Sequence, residues 1–510
     1  MSNNKNQLPV LIVGAGPTGL VLAIWLRKKG IAVRVIDKSI APGTTSRALA
    51  IQARTLEFYQ QLGIADEVLA AGIRAHEITM RRNGKVAAVA KLGPIGKEMS
   101  AFPYLFFYSQ DLHEALLCRV LRNLGVEVER QVELVEFTQN DFSVTAKLKT
   151  PSGDEIVQAD YLCGCDGARS TVRHILDLEF LGGTYSQIFF VADVKATGEM
   201  SKGGVQISLG KNDFCIAMPI KEYDSTRLVG VVPPEFEAKE KISYDDVARS
   251  VKLNTGLDIS QVNWFSTYHV HHRLAQKFNV GRVFLLGDAA HIHSPAGGQG
   301  MNTGIGDAVN LAWKLADVIN GKLSKEILLS YEIERIAFAK ILLKTTDTAF
   351  RFVTNRSYFN SLFRVYFLPN IFSFLTRFNW FLRLAFRTVS QIKINYRHSF
   401  LSKGDIAEIS AGDRLPWLAT IDNFSVLKSL DWQIHIYGTA NSELVNEAKS
   451  LNLALHSFDW NYEAKEKGFA KDAMYLVRPD GYCALVSLVQ DTKVLRNFIS
   501  FVQLRIISAF

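Results

Sequence analysis

The sequence predicts a mixed α/β fold: a parallel sheet opened by a βαβ unit, an antiparallel block set into it, a helical stretch, and a second mixed segment. Three observations predict it. A short apolar strand runs into a glycine-punctuated turn and a helix at 9–30. A block of alternating strands occupies 183–235, and an apolar strand at 283–286 returns to the parallel style.

Pro9–Val13 (PVLIV) is apolar throughout and bounded by glycine, the pattern of a strand covered on both faces. Gly14-Ala-Gly16-Pro17-Thr18-Gly19 follows, and Leu20, Ala23, Ile24 and Leu26 then recur at helical spacing up to Gly30. A second strand, Ala32–Ile36, ends at Asp37-Lys38 and closes the βαβ unit. A helix over Gln110–Leu124 leads to strands near Val126–Phe137 and Ser143–Leu148, then to an apolar strand, Tyr161–Cys165, that ends in Asp166-Gly167. The alternating block contains Gln187–Val194, Val205–Leu209, Phe214–Ile220 and Leu228–Val232. Val283–Leu286 runs into Gly287-Asp288, and helices dominate from Gly304 to about Val389. After Ser402 come strands at Trp432–Tyr437 and Met474–Val477 and a turn at Pro479-Asp480-Gly481. No internal repeat or low-complexity tract interrupts the chain.

With 510 residues, 48% hydrophobic and 21% charged, the chain has material for several domains with real cores. Met1–Gln7 is polar and no apolar run reaches 18 residues, which predicts neither a cleaved leader nor a membrane-spanning helix. The five cysteines include no CxxC, which argues against a zinc ribbon or a dithiol site and favours a cytoplasmic setting. The net charge of +8 arises in one place: residues 341–400 hold nine Lys and Arg against Asp347 alone, so the remainder is neutral and a nucleic-acid partner is not indicated. That stretch also holds eleven of the 32 phenylalanines. It reads as an amphipathic connector whose phenylalanines pack on the body while its arginines stay in water; contact with a membrane or an acidic partner is the alternative.

The chemistry is carried by three glycine-acid motifs. Glycines 14, 16 and 19 at a strand-to-helix turn allow backbone to approach a pyrophosphate, and Asp37, 18 residues past the last of them, is placed to accept hydrogen bonds from a ribose. The second motif is Asp166-Gly167 in CDGARSTVR. The third is GRVFLLGDAAHIHSPAGGQGMNTGIGDAVNLAWKLA (281–316), where Gly287-Asp288 ends a strand and a loop with Pro295, Gly297, Gly298 and Gly300 feeds a helix near Met301-Asn302. His269, His271 and His272 lack a carboxylate or thiol cluster, so no metal site is predicted. His291 and His293, beside the glycine-rich loop, read as structural, with proton transfer as the alternative.

In this order, the three motifs resemble the class A FAD-dependent aromatic hydroxylases, such as para-hydroxybenzoate and phenol hydroxylase, over residues 8–345. The resemblance implies a Rossmann-type FAD-binding domain (1–180, with a short excursion near 76–106, and 276–345) with an inserted antiparallel β-sheet substrate domain (181–275). A helical connector (346–400) and a thioredoxin-like C-terminal domain (401–510) follow; the latter carries only Cys483, so a packing or dimer role is expected of it. It implies non-covalent FAD held by Gly14, Gly16, Pro17, Thr18, Gly19, Asp37, Lys38, Arg47, Gln110, Asp166, Gly167, Gly287, Asp288, Pro295, Gly298, Gly300, Met301 and Asn302. It also implies a transient NAD(P)H donor, NADPH favoured over NADH, O₂ as oxidant, and transfer of one oxygen atom to an aromatic substrate, phenolic or polycyclic. Members use positions matching Ser46-Arg47, Arg54-Thr55-Leu56-Glu57 and Gln110 near the flavin. One departure is plain: where phenol hydroxylase carries an acid, this chain has Ala48-Leu49-Ala50-Ile51, so no catalytic residue is assigned. Two alternatives share the fold: oxidative inactivation of an antibiotic, and a non-catalytic flavoprotein that binds a membrane or partner through the basic segment. A halogenase is set aside, because no Trp-x-Trp-x-Ile-Pro occurs.

Overall fold

The computed structural model describes residues 8–43, 48–82, 85–91, 96–201, 203–210, 213–221, 224–294, 297–354, 363–406 and 408–504. Its first sheet is built around Leu8–Val13. A strand this apolar is stable only when flanked on both sides, and it pairs in parallel with Val33–Asp37 and Gly153–Gly164. Val283–Leu285 extends the parallel row beyond one neighbour and Val128–Arg130 beyond the other. Leu20–Leu26 of the helix Pro17–Lys28 is entirely buried, with Trp25 and Trp313 at the centre of the core. The register aligns Ile36, Val13, Gly164 and Leu285 across the sheet, so four strands end at one level.

Gly153–Gly164 begins well before the apolar stretch that marks it in the sequence. Its first half forms an antiparallel ribbon with Val144–Thr150, and its polar residues face water there; from Ala159 onward it turns into the parallel sheet. Polar alternation hides that first half from a search for buried runs.

The second sheet is largely antiparallel. Two strands of 18 residues, Phe180–Thr197 and Asp258–Ala275, pair along their whole length with three register shifts. Ser225–Val231, Phe214–Ile220 and Val205–Leu209 follow, and the hairpin Glu77–Arg82/Lys85–Lys91 joins through a parallel pair. The helix Tyr244–Thr255 covers one face, packing Val247 and Val251 on Phe190, Ala192 and Leu228. The other face presents Phe189, Phe214, Val231 and Val270, and meets Leu368 and Phe372 of the connector. Phe189 and Phe190 therefore serve opposite faces, as the two-residue period of a strand demands.

The connector departs from its expected packing. Val365, Leu382 and Phe386 are buried, but Phe363, Phe367, Phe374, Phe378 and Trp380 stand out in solvent. Beyond it, Gln433–Tyr437, Ala454–Phe458, Met474–Val477 and Cys483–Ser487 form a βαβαββα unit with the second strand at one edge and the last at the other. Among the described residues, no helix is long and apolar enough to cross a membrane.

Candidate functional site

Because parallel strands point one way, their carboxyl ends share an edge, and this edge carries all three motifs. Gly14 follows Leu8–Val13, Asp37 ends its neighbour, Asp166 follows Gly153–Gly164, and Asp288 follows Val283–Leu285. The motifs touch. A Cβ at Gly14, where φ is +104°, would lie 2.3 Å from the Cys165 carbonyl oxygen, and one at Gly287 would lie 2.8 Å from Thr18 Oγ1. Gly16 differs, since a Cβ there meets nothing within 4 Å. So Gly14 permits chain-to-chain contact, and Gly16 alone of the pair faces open space.

The helix Pro17–Lys28 starts at Gly16 with no side-chain cap, leaving its first N–H groups available to an anion. Asp37 Oδ2 accepts from Ala15 N at 2.8 Å and Oδ1 from Ser39 N at 2.8 Å, which pins the carboxylate beside the turn with lone pairs to spare. Asp166 accepts from Val172 N at 3.1 Å through Oδ2, while its buried Oδ1 has no partner. Burial raises the carboxyls of Asp166 and Asp288 above their ordinary range, yet Asp288 remains accessible to solvent. Arg173 ties two motifs together, donating to Ala168 O at 2.9 Å and to Ala289 O at 2.8 Å. An uncapped helix start, open space at Gly16, an orphaned acceptor and an accessible carboxylate suit a pyrophosphate with polyol and ribose arms, so the residues present fit FAD.

The helix Gly300–Ile319 likewise starts without a side-chain cap, and the loop before it lies against Ala50 and Gln52, with Gln52 Nε2 donating to Gly297 O at 2.9 Å. Asn302 has a different task from the one its motif suggests. Its side chain donates to Ala50 O and Gly298 O and accepts from Gln52 N and Thr55 Oγ1, so only its backbone is left for a ligand. Gly287 is occupied too, because its N–H donates to Asp307. Gln110 binds Glu114 across the start of its helix, Lys38 is exposed, Gly167 and Gly298 lie in loops, and Gly300 and Met301 open the helix Gly300–Ile319. Arg47 and Pro295 lie outside the described residues. Arg54 and Glu57 serve the C-terminal segment instead: Arg54 donates to Asp480 O at 2.5 Å, and Glu57 pairs with Arg414.

Sequence reasoning missed the support beneath the third motif. Asp307 is fully buried and accepts from Gly287 N, from His291 Nε2 at 2.7 Å and from Arg335 Nε at 2.5 Å. Burial alone would raise this carboxyl; Arg335 and His291 overcome it and hold it below the ordinary range. The signal was an Asp inside an apolar helix, Gly306-Asp307-Ala308. His293 donates from Nδ1 to Ser294 O, and burial brings it down to about 4, so it is neutral with a free acceptor at Nε2. On the second sheet, Arg227 and Asp193 form a bidentate pair at 2.7 Å, with Arg227 Nη1 reaching Ala48 O at 3.5 Å. The two residues face each other on neighbouring strands of that sheet, Arg227 buried and Asp193 nearly so. Among the described residues, no group of His, Cys, Asp and Glu is placed to hold a metal ion.

Residues 7–346 match the family described as FAD binding domain. The chain belongs to it. The flavin-dependent monooxygenase of Mycobacteroides abscessus is 32% identical over 515 residues, covering 94% of this chain and 97% of that protein. The 6-methylpretetramide 4-monooxygenase of Streptomyces rimosus is 37% identical over 350 residues, which is 68% of this chain but only 62% of that longer protein. Among solved structures, the anhydrotetracycline hydroxylase of Streptomyces rimosus superposes with a TM-score of 0.77 at 26% identity, covering 97% of this chain and 99% of that one. These relatives place the chain among the flavin-dependent monooxygenases.

Proposed function

We propose that this protein is an FAD-dependent monooxygenase that uses NAD(P)H, NADPH in preference, and O₂ to hydroxylate an aromatic small molecule, polycyclic in the best-supported case. One observation carries the reading: three acids from distant parts of the chain stand at the carboxyl ends of strands of one parallel sheet, beside an uncapped helix start, and the second sheet presents an apolar face. The relatives' names add the substrate class, since two of them act on fused-ring compounds.

In this reading Gly14, Gly16 and Gly19 with the helix start receive the pyrophosphate, and Asp37 the adenosine ribose. Asp166 and Asp288 hold the remaining polyol, and Gly298 with the helix start at Gly300-Met301 borders the ring. FAD held by these residues would supply the redox chemistry: two-electron reduction by the nicotinamide and activation of O₂, one oxygen atom going to the substrate and the other to water. The residues supply the setting. The helix start at Gly300 places N–H dipoles where negative charge develops. Phe189, Phe214 and Met218 exclude water from the substrate side of the second sheet. The buried Arg227, neutralised by Asp193, reaches the Ala48 carbonyl and so helps to fix that segment. Ala48–Ile51 brings no base, which fits a substrate that needs no strong base or a base supplied from elsewhere.

Oxygen insertion that inactivates an antibiotic is the same reaction on another ring, and differs only in substrate. The βαβαββα unit at 433–504 has the strand order of a thioredoxin-like domain without its cysteine pair, and we read it as structural. A reducing, cytoplasmic setting fits five free cysteines. Anaerobic stopped-flow reduction by NADPH tests the proposal: a true substrate accelerates flavin bleaching strongly. Equal rates across a panel that contains a proven substrate would contradict it.

A further inference from the structure

The two connector helices turn an apolar stripe outward. Along Leu368–Leu375 and its flanks, Phe367, Ile371, Phe374 and Phe378 are 39–58% exposed, and Phe374 and Phe378 meet edge to face. On Asn379–Val389, Trp380 (60% exposed) and Leu384 share a face with Arg383 and Arg387, one and two turns apart. The inner faces of both helices rest on one hairpin: Phe372 and Phe381 meet each other and pack, with Leu382, on Ile78 and Ala90. Because both helices bury one side on the same support, their exposed stripes share one side of the molecule.

Charge is as lopsided as hydrophobicity. From Thr348 to Gly404 there are nine Lys and Arg and no acid. Arg383 pairs with Glu98 and Arg397 with Asp413; Arg377, Arg387 and Lys393 have no acidic partner among the described residues. Beside the stripe, at the end of the hairpin, a cleft of about 530 Å³ is lined by Arg82, Lys85, Val86, Ala87 and Asn370. It offers two cations and an amide, the chemistry that binds a phosphate.

We propose that this face docks on a bilayer containing anionic phospholipid. Headgroup phosphate occupies the Arg82–Lys85 cleft, while Phe367, Phe374 and Trp380 sit at the acyl boundary, with arginines snorkelling to the headgroups. Charge selects this occupant over a second copy of the chain. Glu98 on this face is already paired with Arg383, so two-fold pairing would set Arg377, Arg387, Arg82 and Lys85 against the same cations of the second copy. Docking here brings apolar compounds to Leu368 and Phe372, the side chains that close the apolar face of the second sheet.

Co-sedimentation of the full-length, FAD-loaded protein with vesicles tests the proposal, using phosphatidylcholine alone and phosphatidylcholine mixed with phosphatidylglycerol. Binding to the anionic vesicles is expected, falling about tenfold or more on neutral vesicles, at high salt, and in Phe374→Ser/Trp380→Ser. Arg82→Glu/Lys85→Glu loses anionic binding as well. All of these positions are exposed, and an unchanged flavin spectrum confirms that the variants fold. No pelleting, equal pelleting on neutral vesicles, or unchanged pelleting of the variants would overturn the proposal. So would a dimer, seen by light scattering, that Phe374→Ser/Trp380→Ser dissociates, or binding of inorganic phosphate without binding of vesicles.

Discussion

Replacing Arg478 by Met tests how the C-terminal segment is held to the nucleotide sheet. Arg478 donates to both carboxylate oxygens of Glu334, at 2.8 and 3.0 Å, and to both of Asp480, at 3.0 and 2.6 Å. Lys314 donates to Glu334 at 2.9 Å, and every member of this group is at most 2% exposed. Two cations thus balance two anions in a dry interior. Methionine keeps much of the volume but removes one cation and four hydrogen bonds. Breaking a buried pair in this way costs about 3–5 kcal/mol, against about 1 kcal/mol or less for an exposed pair. Adding Glu334→Gln restores neutrality, leaving Lys314 and Asp480, so the double variant should be about 2 kcal/mol more stable than the two single costs added together. Urea unfolding followed by tryptophan fluorescence measures this, since Trp313 lies 5.2 Å under the Arg478 guanidinium. A cost below about 1 kcal/mol for Arg478→Met, or strictly additive costs, would refute the argument.

Three further outcomes follow from the site and the core. Asp288→Ala should lose FAD hydrogen bonds of about 0.5–1.5 kcal/mol each, and fluorescence titration should show weaker retention; unchanged occupancy counts against the assignment. Gly16→Val should fold normally but lose FAD affinity, because its side chain enters open space, whereas Gly14→Ala should lower thermal stability itself, its Cβ lying 2.3 Å from the Cys165 oxygen. Burial pulls His113 and His435 down to about 3 and His293 to about 4, from an ordinary 6.5. The unfolded chain therefore takes up protons that the folded chain refuses, so stability is full above about pH 6.5 and falls toward pH 4, by about 1.4 kcal/mol per pH unit per histidine. Urea midpoints across that range check it, and a flat profile would contradict it.

Local pattern made some elements legible to the residue. Val205–Leu209, Phe214–Ile220 and Met474–Val477 are short, apolar or alternating, and bounded by breakers, and the structure has each with those ends. The three acids were legible because a strand-end acid beside glycine is itself a local pattern. Long strands were not, since register shifts between Thr184 and Ile188 and near Asp193 break the alternation of Phe180–Thr197. Lys314 and Glu334 are buried together with Arg478, which arrives from far along the chain to pair with Glu334. No local pattern encodes that meeting, although a lysine inside Leu311-Ala-Trp-Lys314-Leu-Ala was a sign of it. The connector's phenylalanines were assigned to the core because periodicity gives a helix its faces but does not show which face meets protein.

The central claim is oxygen transfer from O₂ to a ring, and isotope labelling tests it most directly. The FAD-loaded protein is incubated with NADPH, heavy-isotope O₂ and a panel of fused-ring phenols, and the products are weighed by mass spectrometry. The account predicts a product that carries one labelled oxygen atom, formed in step with NADPH oxidation. A product whose new oxygen comes from water, or NADPH consumption that yields only hydrogen peroxide with every compound that accelerates flavin reduction, would contradict it.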